Sequence, residues 1–144
     1  MKSYPWLKNY PEGVPPEIKL NAYRSVVHLF EESCKKYSNK VAFENMGGRL
    51  TYAQVDTLSR DFAAYLQSIG LKKGDRIAIQ MPNALQFPIA FFGALRAGLI
   101  VVNTNPLYTP REMEHQFRDS GAVAIVIVAN FASNLEKIIG STQI

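Results

Sequence analysis

One cysteine, Cys34, stands in 144 residues, so no disulfide framework and no cysteine-built zinc site can be assembled within the chain, and a reducing compartment is expected. Histidine is nearly as scarce, with His28 and His115 alone. No GxGxxG follows a strand, no GxxxxGKS/T phosphate loop occurs, and no GxSxG elbow is present, which removes the usual loop signatures of dinucleotide binding, phosphate cradling and serine hydrolysis. Low-complexity tracts and repeats are missing too, which argues against disorder and solenoids. The longest apolar stretch, Phe87 to Val102, is interrupted by Pro88, Gly93, Arg96 and Gly98 and falls short of the ~20 residues a spanning helix needs. Met1 to Trp6 has no apolar segment behind Lys2 of the kind a secretory signal carries, so a cytoplasmic location is expected. The formal charge is +4 and the pI is near 9.2, yet the basic residues come as scattered pairs beside acids, Lys35 with Lys36 and Lys72 with Lys73. Without a basic stripe nucleic acid is not an expected partner; solvated surface charge is the default reading, with attraction to anionic lipid headgroups the lesser alternative.

What is present is enough for a real core: 47% of the residues are hydrophobic, and a chain of this size buries roughly 68–70% of its unfolded surface. Residues 1–24 hold Pro5, Pro11, Pro15, Pro16 and Gly13 and read as an irregular arm laid on the surface. From Ser25, a plausible N-cap, Val26, Phe30, Ser33, Cys34 and Tyr37 share one helical face, which makes Cys34 a core residue. Val41–Glu44 and Arg49–Tyr52 predict a β-hairpin across Asn45-Met46-Gly47-Gly48, whose glycines permit a tight turn. Thr51 and Gln54 have capping-box spacing with Leu50 and Val55 as staple, and Tyr52, Val55, Leu58, Phe62, Tyr65, Leu66 and Ile69 continue an apolar face up to Gly70.

Beyond the Lys73-Gly74-Asp75 turn, Arg76–Met81 predicts a strand, and the position of Pro88 favours a helix starting near Gln86 and ending before Gly98. Leu99–Asn103 is a second strand. Thr109 at N-cap, Pro110 at N1 and Glu112 at N3, with Tyr108 against Met113, mark the next helix, which Gly121 closes. Ala122–Val128 is a β-branched run of the kind buried on both faces of a parallel sheet, and Phe131–Ile139 is a last helix ending at Gly140. Alternating strands and helices with long connections predict an α/β fold, a mostly parallel sheet with helices on both faces. The organisation expected is an arm, 1–24, and an α/β subdomain, 25–144.

The residues that could carry chemistry do not assemble in the sequence. His28 and Cys34 are six positions apart on one helix, roughly 240° around its axis, and cannot form a dyad. His115 falls between the apolar Met113 and Phe117 positions and is read as a surface histidine. Glu31-Glu32 and Glu112 with Glu114 are explained by solvation or capping, and with His115 alone nearby no metal set reaches three ligands. Arg60 and Arg96 could bind an anion or close ion pairs, and the ion pair is favoured. Asn83 and the Asn103–Thr109 loop are the candidates for anion binding at a helix start, with loop structure the favoured reading. No catalytic, cofactor-binding or metal residue is assigned.

Read as strings, LTYAQVDTLSRDFAAYL at 50–66, LKKGDRIAIQMPNALQFPIAFFGALRAGLIVVNTNPLYTPREMEHQFRDSGA at 71–122 and AIVIVANFASNLEKII at 124–139 resemble the adenylate-forming acyl-CoA synthetases, and within them the bacterial long-chain fatty acid–CoA ligases. The general signal lies in Leu50-Thr51-Tyr52, Gly74-Asp75-Arg76, Pro82-Asn83 and Arg96-Ala97-Gly98. The narrower one lies in Asn105 through Glu112, in Asp119-Ser120-Gly121-Ala122, and in Tyr10-Pro11 and Val14-Pro15. The wider superfamily often carries an acid soon after the Pro-Asn pair, where this chain has Ala84-Leu85-Gln86, a departure that points to the long-chain branch.

The resemblance implies a fragment of the large N-terminal domain of a longer enzyme, with the phosphate loop, the acids around magnesium, the ribose-binding aspartate and the mobile C-terminal domain beyond Ile144. For the whole enzyme it implies ATP, Mg2+ and coenzyme A, and a long-chain fatty acid whose carboxylate attacks the α-phosphorus of ATP before the CoA thiol displaces AMP. It also implies that this segment is scaffold, inactive alone, with helix 86–97 near an acyl tunnel or a subunit contact while single residues in it serve core packing. Two other readings stand beside it: a freestanding nucleotide-binding module, disfavoured by the missing phosphate loop, and a non-catalytic interaction or homo-oligomerisation module pairing through an exposed sheet edge or apolar surface. Association with the periphery of the inner membrane is a further expectation.

Overall fold

A computed structural model describes residues 4–18 and 23–144. Helix α1, Val26–Tyr37, begins where the Ser25 side chain accepts the His28 amide. Strands β1, Val41–Asn45, and β2, Gly48–Thr51, form an antiparallel hairpin. Its turn differs from the expectation: Met46 takes φ 48° and Gly47 φ 79°, while Gly48 opens β2. A two-residue turn of matching twist needs positive φ at both central positions, so one of them falls on a non-glycine, and its side chain is left in solvent.

Helix α2, Tyr52–Ser68, starts with the full reciprocal box: Thr51 N–H donates to Gln54 Oε1 at 2.8 Å and Gln54 N–H to Thr51 Oγ1 at 3.2 Å. Its buried stripe is Val55, Ser59, Ala63 and Leu66, whereas Leu58, Tyr65 and Ile69 are exposed. The expected face is therefore rotated. The cause is α3, Gln86–Arg96, which lies so close that a Cβ at Gly93 would sit 3.0 Å from the Ser59 carbonyl oxygen and 2.7 Å from Phe62. Small residues choose the contact face when two helices approach this closely, and a reading weighted to large apolar side chains misplaces it. Val26 on α1 is corrected likewise: it is exposed, and Phe30 and Cys34 carry the burial, packed with Val55, Leu50 and Phe92.

Strands β3, Arg76–Gln80, β4, Ile100–Asn103, and β5, Ala124–Ile127, form a parallel sheet in the order β4-β3-β5. Alternation along β3 sends Ile77 and Ile79 to the side of α2 and α3, and Ala78 to the side of helix α4, Pro110–Ser120. The α/β architecture with helices on both faces is thus observed. Within it β3 is the strand buried on both faces, while β5, expected to be so, is half-buried along its length. An edge strand has a neighbour on one side only, whatever its β-branched content. Gly121 stops α4 at φ 65°, a conformation other residues adopt at a cost.

The expected Phe131–Ile139 helix is cut to α5, Ala132–Glu136, between a 3-10 turn at Ala129–Phe131 and another at Ile139–Ser141. Gly140 lies inside the second turn rather than ending a helix. Leu135 and Ile138 still reach the core with Met113 and Phe117. Before α1, Pro5–Asn9 forms a 3-10 turn; Leu7 aside, every described residue from Tyr4 to Ile18 is exposed. The hydrogen bonds of these described residues close within the segment. Residues 19–22, which the arm expectation also covers, lie outside the described residues.

Candidate functional site

Parallel strands present their carboxyl ends, and the loops that follow, as the usual ligand-binding edge of an α/β sheet. Here those are the loops 81–85 and 104–109, after β3 and β4, which hold the anion-binding candidates. The second is closed by its own bonds. Asn105 Oδ1 accepts the Leu107 amide at 3.0 Å, the Asn105 carbonyl accepts Gln80 Nε2–H at 3.2 Å, and the Asn103 carbonyl accepts Gln116 Nε2–H at 3.1 Å. The buried Thr104 donates its amide to the Ile79 carbonyl. In the first loop the Asn83 carbonyl accepts Asn45 Nδ2–H at 3.0 Å, which pins the hairpin tip to the β3–α3 connection. Loop structure, the favoured reading, explains both.

The capped starts of α2 and α4 offer no more to a phosphate, while α3 begins without a side-chain cap. Gln54 occupies the start of α2, and at α4 the Glu112 carboxylate accepts from both the Thr109 amide at 2.8 Å and its hydroxyl at 2.7 Å. The Thr109 hydroxyl and amide hold Glu112 below the usual carboxylate range, so an incoming anion would meet a negative charge there. Among the described residues, no three His, Cys, Asp or Glu side chains converge on a point where a metal could sit. These groups do not fit a magnesium–nucleotide, and no step is derived through one.

The remaining candidates are each committed locally. His28 Nδ1 accepts the Arg24 amide at 3.3 Å, while Cys34 is buried beneath α1, so the two form no dyad. Burial is the main cause raising the Cys34 thiol pKa, with Asp56 adding to it against Arg96, which suits a core thiol rather than a nucleophile. His115 is exposed on α4. Glu32 pairs with Lys35 at 2.8 Å and Glu114 with Arg118 at 3.3 Å. Both arginines close ion pairs: Arg60 reaches Asp56 at 3.2 Å, and the buried Arg96 bonds the Asp56 carboxylate and its backbone carbonyl, lies 3.6 Å from Glu31 and stacks over Phe30. Asp56, which ties α2 to α3 through Arg96 while Arg96 in turn reaches Glu31 of α1, escaped the sequence reading, although its i,i+4 spacing to Arg60 was visible. Gln80 escaped it as well; a fully buried amide at the end of an apolar strand, its Oε1 has no partner among the described residues.

The surface offers a polar recess of about 510 Å³ lined by Arg111, Glu114, His115, Arg118 and Asp119 on α4, together with two mainly apolar clefts. A cleft of about 210 Å³ lies between the hairpin and the start of α3, walled by Phe43, Asn45, Leu85, Phe87 and Pro88. A second, of about 270 Å³, shares Phe43 and is walled by Val26, Leu29, Tyr52 and Phe92. Helix α3 buries Pro88, Ala90, Gly93 and Ala94 in the core while its aromatic residues line these clefts, so it serves packing and surface together.

An α/β scaffold whose 104–109 loop is tied up by its own side chains is the kind of unit that supports a site built elsewhere. Residues 30–143 match the family model of the AMP-binding enzymes. The chain is 59% identical over 140 residues to a long-chain-fatty-acid–CoA ligase of Yersinia pestis, covering 96% of this chain and 25% of that protein. The crystal structure of an anthranilate CoA ligase in complex with anthranoyl-AMP superposes with a TM-score of 0.79 at 25% identity, over 83% of this chain and 23% of that one. The inhibitor-bound N-terminal domain of FACL13 from Mycobacterium tuberculosis gives 0.74 at 28% identity, over 78% and 29%. The chain belongs to the AMP-binding enzyme family, and it spans about a quarter of the length of the curated relative it matches.

Proposed function

We propose that this chain is the amino-terminal segment of an AMP-forming long-chain fatty acid–CoA ligase, and that residues 25–144 are a subdomain of its larger adenylation domain behind the arm 1–24. The observation that carries the reading is 59% identity across 96% of the chain to a protein of that activity. In this reading ATP, Mg2+, coenzyme A and the fatty acid are held by parts of the longer protein, and this segment supplies scaffold. No catalytic, cofactor-binding or metal residue is assigned to it, a choice supported by loop 104–109, where Asn105 and Thr109 are engaged by other groups of the chain. The enzyme would work in the cytoplasm and at the periphery of the inner membrane, where its apolar substrate partitions.

The test is fatty-acid-dependent exchange of pyrophosphate into ATP, comparing the 144-residue chain with the product of a longer reading frame that contains it. Activity in the longer product alone is the expected result. Exchange by the short chain would sink the scaffold assignment, because residues described here as structural would then bind ATP. A second reading, a non-catalytic homo-oligomerisation module, is favoured by the half-buried edge strands β4 and β5. It predicts a solution mass that rises with concentration and no exchange in either product.

A further inference from the structure

The exposed aromatic residues are not spread evenly. Tyr4, Trp6 and Tyr10 are 46%, 52% and 42% exposed within one short segment. The 3-10 turn at Pro5–Asn9 sets Tyr4 and Trp6 in a stack with ring centroids 4.6 Å apart. Lys8 lies in the last turn of the same element. Among the described residues, every hydrogen bond made by 4–18 closes within the segment itself. From Met1 to Tyr10 the sequence holds Lys2 and Lys8 and no acid; the first is Glu12.

Each large ring in this turn joins an apolar body to a polar tip, the type that concentrates at the boundary between bilayer and water. A lysine beside such rings can lay its stem along the apolar layer and hold its ammonium among headgroups, where anionic lipid attracts it. Such rings also suit protein interfaces, and it is the pairing with lysine, ahead of the first acid at Glu12, that favours an anionic lipid layer. We infer that residues 4–10 form an interfacial anchor that seats this protein on an anionic lipid surface. The inference gives the peripheral association proposed above its structural element. It does not depend on the ligase reading, since its test contains no fatty acid, ATP or coenzyme A; failure of either experiment leaves the other standing.

Trp6 is the chain's single tryptophan, so its fluorescence reports on the arm alone. The unaltered chain is titrated with vesicles of phosphatidylcholine containing phosphatidylglycerol, and with phosphatidylcholine alone. The expected result is a saturable blue shift with the anionic vesicles, quenching by a headgroup-region spin-labelled lipid, and weakening with salt. Lys8→Gln should lower the partition coefficient about fivefold, the worth of one near-surface cation, and Trp6→Ala should abolish most co-sedimentation with vesicles while leaving the thermal melt unchanged. Three results would overturn the inference: no co-sedimentation; co-sedimentation with Trp6 emission unmoved, which assigns binding to the body; or a blue shift without lipid that grows with protein concentration, which assigns the arm to a protein surface.

Discussion

On the α2/α3 face of the sheet the helices meet through Ser59, Ala63, Gly93 and Ala94, whereas on the α4/α5 face Met113, Phe117, Leu135 and Ile138 fill the space with bulk. The first face also carries the Arg96–Asp56 pair, while the cluster on the second is apolar. One face is built on close approach and charge, the other on volume. The first should therefore be broken by adding atoms and the second by removing them.

The largest effect expected is on the second face. Phe117→Ala removes a ring that is 1% exposed and should cost about 3–5 kcal/mol through lost burial and the cavity left behind, read as a fall in urea midpoint. On the first face Gly93→Val should cost about 1–3 kcal/mol, because its Cβ position already meets Phe62 and the Ser59 carbonyl. The comparison would fail if Gly93→Val were tolerated as well as a substitution on the exposed side of α4.

The ion pair gives the first face a pH dependence of its own. Burial raises the Asp56 pKa, but the bond and charge of Arg96, helped by Arg60, more than reverse that and leave it below its ordinary 3.8. A group lowered in the folded state stabilises above its unfolded pKa and loses that contribution as pH falls through the folded value. Acid should thus withdraw stability from α1–α3 through Asp56 and from the start of α4 through Glu112, and Asp56→Asn should remove the acid dependence of hydrogen exchange in α1–α3 while leaving that of the α4 cap. Asp56→Ala at neutral pH should cost about 2 kcal/mol, less than a fully buried pair because Asp56 is partly exposed and Glu31 remains near Arg96. The smallest effect is at the caps: Thr51→Ala and Thr109→Ala should each cost about 1 kcal/mol. Equal shifts in melting temperature on the two faces would show that capping is local and indifferent to packing plan.

Capping chemistry was the most legible part of the fold. Thr51 with Gln54 and Thr109 with Glu112 need nothing beyond their own backbone, so spacing alone predicts them. The parallel α/β order was legible for the same reason, as was the start of α3 set by Pro88. What depends on neighbours was not: β5 reads as a doubly buried strand, yet burial is decided by its place at the sheet edge. The buried stripe of α2 is set by Gly93, more than thirty positions away, and α5 is cut short by 3-10 turns where periodicity predicts a longer helix. The candidate residues followed the same rule. Each was read toward its local partner, while Arg96 reaching Asp56 and Glu31, and Gln80 reaching Asn105, are long-range contacts that no window of sequence displays.

Cys34 sits on the buried face of α1, clustered with Phe30 and Val55, and burial raises its thiol pKa, which keeps it in the unreactive form. A thiol of this kind can be alkylated only in the moments when α1 lifts from α2, so the chain carries its own stopwatch. With reagent in excess and closing fast, the labelling rate divided by that of an unstructured thiol gives the fraction of time the helix spends open. Because it is the sole cysteine, that one clock reads the hinge between α1 and the rest of the body without any engineering.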